Sequence, residues 1–180
     1  MHTLVDCIAA CVPAENNPYR IRHPINIRYF VLHRINVADK PEAIAKFFRN
    51  PGWHTDGQMP YHFIIDKAGV VSQCAPLSAR CPGAKVFNAQ GVQIAIVGDF
   101  RKHEPTPEQM PALYWLLGNL YAKLNISKTV THDSDRDAMG DPDKICPGPY
   151  LKFDPTDYRL SQAQLAYQNN WGEPRPAIIV

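Results

Sequence analysis

The sequence predicts an α/β fold in a single domain. Two runs rich in β-branched and aromatic residues, Ile27 to Arg34 and Val92 to Val97, have the composition of buried strands. Between Leu113 and Leu124, leucines and a tyrosine recur at steps of three and four, the spacing of a helix that covers a sheet with one face. A length of 180 residues suits one domain with a substantial core and is too short for two of ordinary size.

Composition bounds the function. Hydrophobic residues make up 45% and charged residues 20%, as in soluble globular proteins, and a formal charge of +2 is too small to argue for nucleic acid. No run approaches the roughly 18 apolar residues needed to span a bilayer, so no stable membrane insertion is expected. The first residues lack a basic segment ahead of their apolar stretch, and Asp6 interrupts that stretch, so they do not read as a signal peptide. The 17 prolines fall between apolar runs and indicate a loop-rich protein. Five cysteines, at 7, 11, 74, 81 and 146, leave at least one without a partner in the chain. Cys74 and Cys81 would pair only in an oxidising compartment, and the reading preferred for both is a reduced, partly buried thiol.

Taken in order, residues 1–26 read as a leader with one helical turn from Leu4 to Val12, ended by Pro13. The strand Ile27 to Arg34 opens the main domain, 27–153, and carries His33 at its end. Pro41 starts a helix through Arg49 that places Ile44, Phe47 and Phe48 on one face. The turn-rich segment Asn50 to Pro60 holds Trp53, read as packing, and His54, which receives no role. A hairpin follows, with strands Tyr61 to Ile65 and Val70 to Gln73 joined at Asp66 to Gly69. Strict alternation puts Tyr61, Phe63 and Ile65 on one face and His62 and Ile64 on the other. After a loop from Ala75 to Asn88 and the strand Val92 to Val97, Thr106-Pro107-Glu108-Gln109 marks a helix start, which Pro111 pushes a few residues later. Thr129 to His132 returns to the site. Residues 154–180 are a tail with a short helix at Ser161 to Asn169.

The chemistry concentrates in THDSDRDAMGDPDKICPGPY, Thr131 to Tyr150. A histidine, His132, is followed after a polar loop by Cys146, which is locked by Pro147-Gly148-Pro149. Neutral imidazole and thiolate are zinc ligands, and the third candidate is His33 at its strand end. Three protein ligands leave one open position, whereas a structural zinc site is closed by four. The aspartates at 133, 135, 137, 141 and 143 lack the glycine and closing glutamate of a calcium loop. They read as turn residues, one of them holding the second nitrogen of a ligand histidine.

Together the runs VLHR around His33, PYHFIIDKAG around Tyr61, VQIAIVGDF around Ile96 and THDS…DKICPGPY resemble the zinc-dependent N-acetylmuramoyl-L-alanine amidases of the type 2 family, which share their fold with peptidoglycan recognition proteins. The resemblance covers about Ile27 to Pro149, and its motifs are nearest the T7 lysozyme-like phage amidases. It implies a central mixed β-sheet flanked by helices. It also implies zinc on His33, His132 and Cys146, with a bound water acidic near pH ~7. Tyr61 then lies at the active centre and His62 packs. Lys144, two residues before Cys146, places its ammonium where an oxyanion would form. The loop departs from the family at Cys81, where a histidine is usual.

The implied reaction is hydrolysis of the amide between N-acetylmuramic acid and L-alanine of peptidoglycan. The alternative is a peptidoglycan- or muropeptide-binding module of the same fold without catalysis. The expected protein is a monomer with peptidoglycan or muropeptide as its partner. It would be cytoplasmic until released or exported to the wall or periplasm. Tyr61 and the cysteine ligand suit the phage type better than cytoplasmic recycling enzymes, which usually carry an aspartate there.

Overall fold

The computed structural model describes residues 2–13, 17–50, 57–135, 145–154 and 178–180. Its strands are β1 (Leu4–Asp6), β2 (Tyr29–Ile35), β3 (Phe63–Ile65), β4 (Val71–Gln73), β5 (Gly91–Val97) and β6 (Lys128–Thr131), and its helices are α1 (Pro41–Phe48) and α2 (Gln109–Tyr121). They form one sheet in the order β1-β4-β3-β5-β2-β6. Only β3 and β4 run antiparallel, and the other neighbours are parallel. The sheet is therefore mixed, and the antiparallel pair is the hairpin read at Asp66 to Gly69.

Each strand of the sheet centre is apolar on both faces because helices lie on both. Phe30 and Leu32 of β2, Phe63 and Ile65 of β3 and Ile94 and Ile96 of β5 pack on one side against Leu113, Leu116, Leu117 and Leu120 of α2. Fully burying side chains of this size contributes about 1.5–3 kcal/mol each. Phe30 and Tyr121 meet edge to face with ring centroids 4.9 Å apart. On the other side, Ile35, Ile64, Ala95 and Val97 pack against Ile44, Ala45 and Phe48 of α1.

Local chemistry sets the helix ends. Pro41 occupies the first turn of α1, where a missing N–H costs nothing, with Glu42 near the positive end of the helix and Lys46 near the negative end. α2 begins at Gln109, a few residues after Thr106. Pro111 falls in its first turn, among residues whose N–H groups have no helical acceptor. The Gln109 side chain reaches back to accept from the Thr106 N–H at 3.0 Å. The Thr106 hydroxyl donates to the Lys67 carbonyl at 2.8 Å.

Two further expectations are corrected. The helical turn read from Leu4 to Val12 is the edge strand β1, parallel to β4, followed by a 3-10 turn at Ala9–Cys11. Three residues carry no usable periodicity, and the free edge of β4 supplies the pairing. Strict alternation through Tyr61 also fails. The regular strand starts at Phe63, so Tyr61 is free to turn to the face of Ile64 and α1. The cysteines at 7, 11, 74, 81 and 146 are all free thiols, the first four of them buried.

Ile178 is buried in the core cluster that also holds the α2 leucines, and Ile179 exchanges hydrogen bonds with the Gln73 side chain. The helix read at Ser161 to Asn169 lies outside the described residues, as do Trp53 and His54. Among the described residues, no helix is long and apolar enough to cross a membrane.

Candidate metal centre

The register of β2 and β6 builds the centre of the site. Leu32 pairs with Thr131 in the parallel ladder, so the residues that follow them, His33 and His132, come side by side with ring centroids 4.7 Å apart. His132 opens a 3-10 turn, His132–Asp135, which lifts the chain off the strand. Cys146 arrives from a separate loop and is tied down by its backbone. The Asp133 N–H donates to the Cys146 carbonyl at 2.8 Å, and the Cys146 N–H donates to the Asp133 carboxylate. Arg34 adds a backbone N–H 3.5 Å from Cys146 Sγ and donates from Nε to the Ile145 carbonyl at 3.3 Å.

One ligand atom from each of His33, His132 and Cys146 lies within 4.8 Å of the other two. Ligands around tetrahedral zinc stand roughly 3.5 Å apart, so the 4.8 Å bound exceeds that span by about 1.3 Å. The donor set fits. His33 is 1% exposed, and burial, with His132 beside it, pushes its pKa down to about 3, which keeps the imidazole neutral with a free lone pair. Burial pushes the Cys146 thiol up to about 11, against the lowering by the Arg34 N–H and guanidinium. A cation of the softness of zinc would draw off that proton.

Tyr61 faces this trio, its ring centroid 5.2 Å from that of His33 and 5.9 Å from that of Phe48. Burial, then the neighbouring Cys146, holds its phenol well above the usual range. The hydroxyl is a hydrogen-bond donor at neutral pH and not a base. His62 turns the other way: its Nδ1 accepts from the Gln93 N–H at 3.0 Å, and its Nε2 lies 3.0 Å from the Ala79 carbonyl. The buried Arg22 guanidinium lies against the same ring, Nη2 3.0 Å from Nε2, and donates to the Leu77, Asn88 and Gly91 carbonyls. His62 thus organises the loop beyond β4.

Lys144 lies outside the described residues, as do Asp137, Asp141 and Asp143. Asp133, one candidate for holding a ligand histidine, bonds the Cys146 backbone. Arg34 is steadied from behind by Asp99 at 3.5 Å. Arg101 chelates the same carboxylate at 2.7 and 2.8 Å and holds it well below the ordinary carboxylate range. Sequence reasoning passed over Gln93, whose Oε1 lies 2.7 Å from His33 Nε2. The signal was available, since it is the lone polar side chain in the run VQIAIV.

Comparisons with known proteins bear on the fold and the family. The structure is similar to the N-acetylmuramoyl-L-alanine amidase LysC from Clostridium intestinale URNW, with 24% identity, TM-score 0.66, and 93% of this chain and 99% of that chain covered. It is similar to the Ph2119 endolysin from Thermus scotoductus MAT2119 bacteriophage Ph2119, with 24% identity, TM-score 0.65 and coverage of 90% and 99%. It is also similar to Drosophila peptidoglycan recognition protein SA, with 16% identity, TM-score 0.66 and coverage of 100% and 96%. At these identities the likeness establishes the fold. A comparison with curated protein sequences gives no match. The family model described as N-acetylmuramoyl-L-alanine amidase matches residues 23–149, a span that takes in His33, Tyr61, His132 and Cys146, and the chain belongs to that type 2 amidase family.

Proposed function

We propose that this protein hydrolyses the amide bond between N-acetylmuramic acid and the L-alanine of the peptidoglycan stem, with zinc held by His33, His132 and Cys146. The observation that carries the reading is the convergence of these three ligand atoms within 4.8 Å beside Tyr61, in a chain of the amidase family. When bound, the metal supplies a Lewis acid that makes water nucleophilic near neutral pH.

The remaining work falls to the chain's own groups. The scissile carbonyl gains negative charge on its oxygen as the nucleophile adds, and hydrogen-bond donors aimed at that oxygen lower the barrier. The Tyr61 hydroxyl, protonated throughout the neutral range, is one such donor, and the Lys144 ammonium is the second. Collapse breaks the C–N bond, and the departing L-alanine amine takes up the proton that the attacking water gave up, so that one water is consumed. Packing by Phe48 and His33 fixes the Tyr61 ring, so little orientational freedom is lost as the reaction proceeds. A glycosidase would instead need two opposed carboxylates.

Peptidoglycan digestion with mass spectrometry of the products tests the proposal. The expected products are intact glycan and peptides with a new free L-alanine amine, lost on chelation and restored by zinc. New reducing sugar ends, or cleavage between two amino acids of the stem, would overturn it. Binding without cleavage under zinc-replete conditions would support the recognition-module reading. That reading draws on likeness to peptidoglycan recognition proteins, one of them solved in complex with a monomeric diaminopimelic acid-type peptidoglycan.

A further inference from the structure

We infer that Gln93 is a positioning residue that fixes His33 as its Nε2–H tautomer and so directs the Nδ1 lone pair to the metal. The inference rests on the proposed metal set but concerns a residue outside it.

Gln93 sits in the middle of β5, completely buried, between Val92 and Ile94. A carboxamide buried among apolar side chains is costly unless it is bonded, so its presence there calls for a partner. That partner is His33, whose Nε2 lies 2.7 Å from Gln93 Oε1. A carboxamide oxygen only accepts, so the nitrogen facing it carries the hydrogen. A neutral imidazole has a single N–H. Nδ1 is then the nitrogen left with a lone pair, and it is the one available to join His132 and Cys146.

The surroundings hold the amide in place. A Cβ at Gly83 would stand 2.9 Å from Gln93 Oε1 and 2.6 Å from the Pro60 carbonyl, and one at Gly91 would stand 3.1 Å from Gln93 Nε2. Two residues without side chains thus leave a slot the width of the amide. The backbone is pinned as well, because His62 donates its N–H to the Gln93 carbonyl at 2.8 Å and accepts the Gln93 N–H on Nδ1. Gln93 Nε2 has no partner in this arrangement. The site therefore keeps a residue whose amide is only half satisfied, and the contact with His33 is what that half accomplishes.

The opposite orientation of the amide makes the opposite prediction. With Nε2 towards His33, the imidazole would have to accept there, Nδ1 would carry the hydrogen, and it could not ligate.

The experiment is long-range 1H–15N NMR of the histidine rings in the full chain, zinc-free and zinc-loaded, with zinc affinity from chelator competition. His33 of the wild type is expected to be Nε2–H in both states, with Nδ1 shifted by zinc. Gln93→Leu keeps the volume and removes both the acceptor and the unbonded donor. It is expected to fold, to lose the single tautomer, and to bind zinc about 10- to 100-fold more weakly. Gln93→Glu keeps an acceptor and should restore both the tautomer and most of the affinity. An Nδ1–H tautomer in the wild type overturns the inference, as does undiminished zinc affinity in a folded Gln93→Leu. If Gln93→Leu does not fold, the wild-type spectrum together with Gln93→Glu decides. A wild type that binds no zinc would overturn the proposed metal set, while the zinc-free spectrum would still report the tautomer.

Discussion

Asp133 and Cys146 hold each other by a pair of hydrogen bonds, with the Asp133 N–H on the Cys146 carbonyl and the Cys146 N–H on the Asp133 carboxylate. Asp133 directly follows His132, so this pair joins the loop that carries the thiol to the strand end that carries the imidazole. Its consequence is measurable. Asp133→Ala should weaken zinc binding about tenfold to a hundredfold, whereas Asp133→Asn, which keeps an acceptor, should retain most of the affinity. Chelator competition on the purified variants reads the difference, and equal affinity in Asp133→Ala would show that the loop is held by other contacts.

Zinc binding should be proton-linked through Cys146. With the free thiol pushed up to about 11 and His33 down to about 3, the thiol is protonated and His33 is neutral between pH 8 and pH 9. Binding there requires loss of the thiol proton. The association constant should therefore rise by about tenfold per pH unit, and the slope should flatten only as the pH nears the thiol pKa. Calorimetry in buffers of different ionisation enthalpy should count about one proton released from this group. Release of none would mean the thiol is not a ligand.

Tyr61→Phe and Lys144→Ala should keep the fold and the zinc and lose turnover. Removing one donor to a developing oxyanion costs on the order of 100-fold in kcat. A muropeptide turnover assay beside a metal analysis separates the two effects. A variant with near-normal kcat would return that residue to a structural role.

Gly148→Ala should disturb the thiol from two residues away. Gly148 has φ +114°, and a Cβ there would meet the Phe100 carbonyl at 2.6 Å and the Arg101 nitrogen at 2.9 Å. Backbone strain of this kind costs about 1–3 kcal/mol. Relief on the Gly148 side would carry the loop bearing Cys146 with it. Denaturant unfolding of the zinc-free variant should show the lost stability, and its zinc affinity should fall as well. Unchanged values in both would mean the loop yields without displacing the ligand.

Composition and periodicity by themselves determined the main elements, because those elements bury long runs whose spacing is written locally. The β-branched runs at Tyr29–Ile35 and Gly91–Val97 and the leucine steps of Gln109–Tyr121 each state their own secondary structure. The four ordered motifs placed the chain in its family. His33, His132 and Cys146 could be singled out because imidazole and thiolate are scarce, chemically distinctive groups at strand ends and in a proline-locked loop.

What depends on pairing between distant segments was left to the tertiary structure. β1 is a strand only because the edge of β4 is there to bond it. Tyr61 faces His33 because the regular strand starts two residues later, so the alternation that would have turned it away does not yet apply. The Leu32–Thr131 register, and no property of either histidine, sets the two rings side by side. Gln93 and Asp133 acquire their partners across the sheet and across a loop. A single sequence does not encode such hydrogen bonds at any fixed spacing, because their partners are chosen by strand order and packing rather than by neighbours along the chain.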